Sequence, residues 1–352
     1  MSNSLIRDIA IMSGIMIVSH IIKANSRFLH RFFVPTSMLA GLIALIAGPY
    51  FLNIIQFSQA ASSYAYTLVL FLFAGLFLGR TEGAGLKKTI GKVGDTLFLS
   101  LAGELGQFGL ATLVGTILML LFFPGVELGF SILMPSGFVG GHGYAAAIGG
   151  TIAEVTGWEN ALYIAQTFAT IGLLIAIFGG VFLINLAVRR GETAFMDAGH
   201  LDLDKAEVCF IPEAQRPNLG KEVTNATALD TLTWHMILLM AATGIGYLIN
   251  HYWVMVLPNF QPPMICLTMF GGFLIQTVLN RTPYGRYVDK ETVGHFNGLI
   301  TDFLVAFGIA TINIDVVIRY IAPHRGPLPA GAGLLLCACH SAGETAVSQI
   351  PL

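Results

Sequence analysis

Apolar residues run along this chain in long blocks, separated by short polar stretches and by breaks marked with proline or glycine. A helix crossing a bilayer needs about 20 mostly apolar residues, because every backbone N–H and C=O must pair within the segment where no water is at hand. Eight blocks meet that test, at residues 5–22, 34–52, 64–78, 96–123, 162–188, 233–252, 263–279 and 296–321. A ninth block, 129–152, is equally apolar but makes a poor helix. Pro135, Gly137, Gly140, Gly141, Gly143, Gly149 and Gly150 fall within it, and each interior glycine costs about 1 kcal/mol relative to alanine. It reads as a re-entrant loop that dips into the membrane and returns to the same side. Backbone of that kind is tolerated only where protein buries it or water lines it, so the loop is expected to face a cavity.

Loop charge orients the spans, because Lys and Arg collect on the cytoplasmic side. With the N-terminus outside and the 129–152 segment re-entrant, 15 of the 18 basic residues fall in inward loops, and Arg7, Arg319 and Arg325 are the exceptions. A full span at 129–152 would reverse every later loop and destroy this pattern. The chain is 55% hydrophobic and 11% charged, against roughly 25% charged in soluble domains, so a soluble protein is excluded. A net charge of -2 offers no basic face for nucleic acid. The first apolar block lacks a basic leader and a small-residue cleavage site, and reads as a span. Cys209, Cys266, Cys337 and Cys339 form no disulfide framework. The Cys-Ala-Cys-His run at 337–340 reads as part of an accidental tail rather than as a metal site, and no cofactor is expected.

Sliding the chain on itself by about 232 positions brings Phe71-Leu72-Phe73-Ala74 onto Phe303-Leu304-Val305-Ala306. Nearly the same shift brings Gly41 onto Gly272, each following a proline, Pro35 or Pro263, that opens a span. Basic loops in one half correspond to neutral loops in the other, so the halves have opposite orientation, the architecture of many secondary transporters. The fold class predicted is an all-α integral membrane protein: a multi-span helical bundle with inverted repeats and a re-entrant glycine-rich loop, the second repeat incomplete. Residues 1–190 form the first repeat, 191–230 a cytoplasmic connector, 231–322 a partial second repeat and 323–352 an atypical tail. A second glycine-rich loop is expected near residue 369, beyond Leu352, which suggests truncation or a change of reading frame.

The richest candidate site is Pro135-Ser136-Gly137-Phe138-Val139-Gly140-Gly141-His142-Gly143-Tyr144. Glycines let main-chain groups approach a ligand, and broken helix ends aim partial charges at it; a carboxylate and a sodium ion are the natural guests. Tight packing through small residues is the alternative. Ser136 either binds a ligand through its hydroxyl or bonds back to its own helix. His142 either contacts substrate or supports the loop. Glu104 and Gln107 lie one turn apart inside a span, where a carboxylate is a functional candidate because placing it there is costly, or else simply pairs with a neighbour. Thr311, Asn313 and Asp315 offer oxygens for Na+ or serve as an interfacial cap.

The Gly140-Gly141-His142-Gly143 turn, the Val34-Pro35 opening followed by Ala40-Gly41-Leu42, and a third span ending at Gly79 resemble the sodium:glutamate symporter family. The resemblance extends over about residues 1–322, with Tyr144 standing where a small polar residue is usual. It implies a two-repeat carrier with a re-entrant loop in each repeat, Na+-driven uptake of L-glutamate, a homodimer in the inner membrane, and movement of a core domain against a scaffold. On that reading Ser136, Gly140, Gly141, His142 and Gly143 meet the substrate, and Glu104, Gln107, Thr311, Asn313 and Asp315 are the ion-binding candidates. The alternatives are a symporter of another amino acid or dicarboxylate, or a remnant of such a carrier that no longer transports. A membrane enzyme has little support: neither a His-Glu-x-x-His pattern nor a Gly-x-Ser-x-Gly elbow is present, and Ser136 with His142 lacks an orienting third group.

Overall fold

The computed structural model describes residues 2–31, 34–80, 86–122, 127–190, 220–225, 227–257 and 262–315. Regular structure among them is all helical: α1 (Ser2–Asn25), α2 (Arg27–Arg31), α3 (Thr36–Ala47), α4 (Ala61–Ala74), α5 (Leu86–Phe122), α6 (Phe130–Thr156), α7 (Asn160–Arg190), α8 (Thr231–Val256), α9 (Met264–Asn280) and α10 (Lys290–Ala310), with a 3-10 turn at Pro283–Tyr287. This is an all-α membrane protein. A helix stands at each of the eight expected spans. Among the described residues α1, α5, α8 and α10 contain stretches long and apolar enough to cross a bilayer, while α3, α4, α9 and the apolar Asn160–Ala176 part of α7 are shorter.

The shorter helices correct three boundaries. The span expected at 34–52 is helical only to Ala47, where Gly48 leaves the helix with extended ψ. The one expected at 64–78 stops at Ala74 and continues as turns to Gly79, whose φ is +74°. The last, expected to reach 321, ends its helix at Ala310, and Thr311 closes it by donating both N–H and hydroxyl to the Phe307 carbonyl. At 1.5 Å per residue α3 and α4 are about 18–21 Å long, short of a hydrocarbon core of about 30 Å. The expected connector lies mostly outside the described residues, and the tail from 323 lies wholly outside them.

Two helices that the repeat superposes, α4 and α10, pack antiparallel. Tyr64 at the start of α4 stacks edge-on against Phe307 near the end of α10, with ring centroids 5.2 Å apart. Gly75 meets Asn297, and Gly79 lies against the main chain of Lys290 at the start of α10. Around this pair the contacts are reciprocal. A Cβ on Gly41 would lie 2.9 Å from the Ala306 carbonyl oxygen and 2.7 Å from Ile309 Cβ. A Cβ on Gly272 would press into the Ala74 carbonyl oxygen. Glycine 41 aligns with glycine 272 and alanine 74 with alanine 306, so each half repeats the other's contact with exchanged partners, as a two-fold relation requires. Small residues let backbones approach closely in lipid, where no hydrophobic force drives helices together.

Polar brackets tie the ends of the bundle. Buried Asp8 on α1 accepts hydrogen bonds from the Ser58 N–H at 3.2 Å, the Ser58 hydroxyl and the Tyr64 hydroxyl at 3.2 Å, and pairs with Arg7 at 3.4 Å. This ties α1 to the start of α4. At the opposite end of α4, the Gly79 N–H donates to Gln276 Oε1 of α9 at 2.8 Å. The Asp289 N–H donates to His235 Nε2 of α8 at 2.8 Å, while the Asp289 carboxylate caps α10 through the Thr292 N–H and hydroxyl.

Candidate functional site

The glycine-rich segment is a helical hairpin. Gly141 has φ 62° and ψ −157° in the middle of α6, a combination essentially restricted to glycine. A straight helix would hold residues 129 and 152 about 34 Å apart at 1.5 Å per residue. Instead, a Cβ on Gly129 would lie 3.6 Å from Ile152 Cδ1 and 3.8 Å from the Trp158 ring. The segment therefore enters, reverses at Gly141 and returns to its starting level. Leu133, Met134 and Phe138 of the first arm share one apolar cluster with Ala145, Ile148 and Ile152 of the second and with Ala161, Ala165 and Phe168 of α7.

The other glycines bring the arms into contact with their neighbours. A Cβ on Gly137 would strike the α7 backbone at Phe168 and Ala169, one on Gly149 would lie 2.9 Å from Ala165 Cβ, and one on Gly150 would lie 2.5 Å from the Tyr66 ring of α4. The Tyr144 ring folds back over Gly140 and fills the place of its missing side chain. At Gly141, by contrast, nothing lies within 4 Å of the Cβ position. The reversal thus leaves free space beside the main chain at the tip.

The tip is held by a buried polar cluster. His142, 4% exposed, shares a 3.1 Å hydrogen bond between its Nε2 and the Thr170 hydroxyl of α7. Thr170 in turn donates to the Gln166 carbonyl at 3.0 Å, and Gln166 Nε2 donates to the His142 carbonyl at 3.4 Å. Two side chains four residues apart on one helix face thereby grip both the ring and the backbone of the turn. Gly308 in the last turn of α10 faces the cluster: a Cβ there would lie 2.6 Å from Gln166 Oε1 and 3.3 Å from His142 Cδ2.

Of the residues expected at the site, Gly140, Gly141, His142 and Gly143 form the tip. Ser136 is fully buried on the first arm, and its hydroxyl donates back to the Leu133 carbonyl at 2.7 Å, the self-bonding alternative. Thr311 follows one turn after Gly308, with Asn313 half-buried and Asp315 exposed beyond it. Glu104 and Gln107 are half-buried on α5, which meets the base of the hairpin through Thr116 and Ser131, 3.1 Å apart. Glu104 lies about 18 Å along α5 from Thr116, and Gly141 about 15 Å along the first arm from Ser131. Gln166, Thr170, Gly308 and Asp8 were not singled out from the sequence. A polar pair at i and i+4 within the largely apolar 162–188 block was the signal for the first two.

A multi-span helical bundle with a hairpin folded back on itself marks an integral membrane protein. The sodium/glutamate symporter family profile matches residues 2–318, and the chain belongs to that family. No curated protein and no solved structure matches the chain. The family is one of symporters rather than enzymes.

Proposed function

We propose that the protein couples inward movement of Na+ to uptake of L-glutamate across the inner membrane, with its N-terminus in the periplasm. The observation that carries this reading is the reversal at Gly141, which presents main chain to free space while both ends of the hairpin return to one level. A substrate carboxylate would meet the tip at Gly140, Gly141, His142 and Gly143, with Ser136 behind it. Oxygens near Thr311, Asn313 and Asp315, and those of Glu104 and Gln107, are available to the coupling ion. The antiparallel α4/α10 pair and the reciprocal glycine contacts support two inverted repeats, residues 1–190 and 231–322, joined by the 191–230 connector. Family membership carries the expectation of a homodimer and of a core that moves against a scaffold.

The sodium gradient drives transport, aided by roughly 2.3 kcal/mol per net charge per 100 mV of membrane potential. The test is uptake of labelled glutamate by proteoliposomes under an inward Na+ gradient, with an inward K+ gradient as control. Uptake that requires Na+ and is competed by unlabelled glutamate supports the assignment. Uptake indifferent to Na+ rejects the coupling, and competition by other amino acids or dicarboxylates but not by glutamate reassigns the substrate. Impermeant labelling of a cysteine placed at Trp158 tests the orientation, which requires access from the periplasmic side.

A further inference from the structure

Gln166 Oε1 is an acceptor of the tip cluster left without a partner. It is fully enclosed and makes no hydrogen bond, although Gln166 Nε2 donates to the His142 carbonyl, the Thr170 hydroxyl donates to the Gln166 carbonyl, and His142 Nε2 is bonded to Thr170. A buried acceptor left unsatisfied is costly, and such groups are rare unless a ligand or a water completes them. The oxygen points at the last turn of α10, where the absent side chain of Gly308 leaves it room. That turn is a helix C-terminus, where the Phe307 and Ile309 carbonyls take bonds from Thr311 and Ile312 and the negative end of the helix dipole gathers. The unpaired amide oxygen faces the negative end of a helix dipole, a pairing that favours a cation, and a hard one suited to amide and carbonyl oxygens.

We propose that Gln166 Oε1 and the carbonyls of the last turn of α10 around Gly308 bind the coupling Na+ directly, on the side of the hairpin tip that faces α10. The assignment rests on the symport reading above and deepens it by naming an ion ligand on α7. Its location has a consequence for coupling: the ion joins α7, the hairpin and α10 at one point, so the hairpin is fully tied down only when the cation is present.

The test is thermal unfolding of the detergent-purified full chain, titrated with NaCl at constant ionic strength against KCl, without glutamate. Wild type and two variants, Gln166→Leu and Gln166→Glu, are compared. Leu removes the lone acceptor, whereas Glu keeps an oxygen in its place. Expected is a Na+-specific rise in Tm for wild type, loss of that rise or at least a tenfold weaker half-point in Gln166→Leu, and retention in Gln166→Glu. A purely structural glutamine predicts a lower Tm for Gln166→Leu in both salts with the Na+ increment unchanged, and that result overturns the proposal while leaving symport standing. A stabilisation by glutamate in KCl that Gln166→Leu abolishes, with the Na+ response intact, assigns the oxygen to the substrate ammonium and likewise overturns it. If Na+ fails to stabilise wild type and fails to drive uptake, the broader coupling reading falls with it.

Discussion

Replacing Gly141 by alanine separates backbone conformation from packing, because the added methyl group meets nothing within 4 Å. The whole cost then comes from holding φ 62° and ψ −157° with a side chain present, about 1–3 kcal/mol. Alanine also favours uninterrupted helix by about 1 kcal/mol over glycine, which rewards straightening a segment whose ends would have to separate by about 34 Å. Straightening would empty the contacts of both arms against α7, so the fold resists it and the strain is stored at the tip. The expected outcome is a Tm lowered by several degrees, with glutamate uptake reduced more than stability. A disulfide between cysteines placed at Gly129 and Ile152 should form readily in the glycine parent and pin the hairpin. Wild-type stability and uptake in Gly141→Ala, or failure of that disulfide in a folded parent, would refute the hairpin geometry.

Gly272→Ala forces a methyl group into the Ala74 carbonyl oxygen and Gly41→Ala crowds Ala306 at 2.9 Å, so both should lower Tm by amounts equivalent to roughly 1–3 kcal/mol, Gly272 the more. Gly106→Ala, with nothing within 4 Å, should be neutral or stabilising in the same thermal scan. Asp8→Asn places an amide NH2 among donors that now point at a carboxylate, and the loss expected in the same scan is about 1–3 kcal/mol. Burial pushes the Asp289 carboxyl up, but the Thr292 N–H and hydroxyl, the Lys221 N–H and His235 outweigh it and hold it below its ordinary value of 3.8. Its contribution is therefore complete above that value and is lost as pH falls through the lower folded value. Asp289→Ala should cost about 0.5–2 kcal/mol at neutral pH as a lost helix cap, with the gap from wild type closing in acid.

The hairpin was legible because its signal is covalent: glycine-rich backbone is poor helix wherever it is placed. Gly41, Gly272, Ala74 and Ala306, the small residues whose spacing suggests a repeat, lie where helices touch. Hydropathy could not reveal that α4 stops at Ala74, since Leu76, Phe77 and Leu78 keep the stretch apolar while the backbone turns toward Gly79. The same blindness hid the end of α10, where Ile309 and Ile312 flank a helix terminus that closes on Thr311. Gln166 and Thr170 went unread because a polar pair in a membrane helix is ordinary until its partner is known, and that partner, the His142 turn, is 24–28 residues earlier in the chain. What a linear reading misses is thus the meeting of two helix interruptions, the reversal at Gly141 and the terminus after Gly308. Each exposes main chain, which at membrane depth must be buried in protein or line a cavity, and placing one against the other answers that requirement for both.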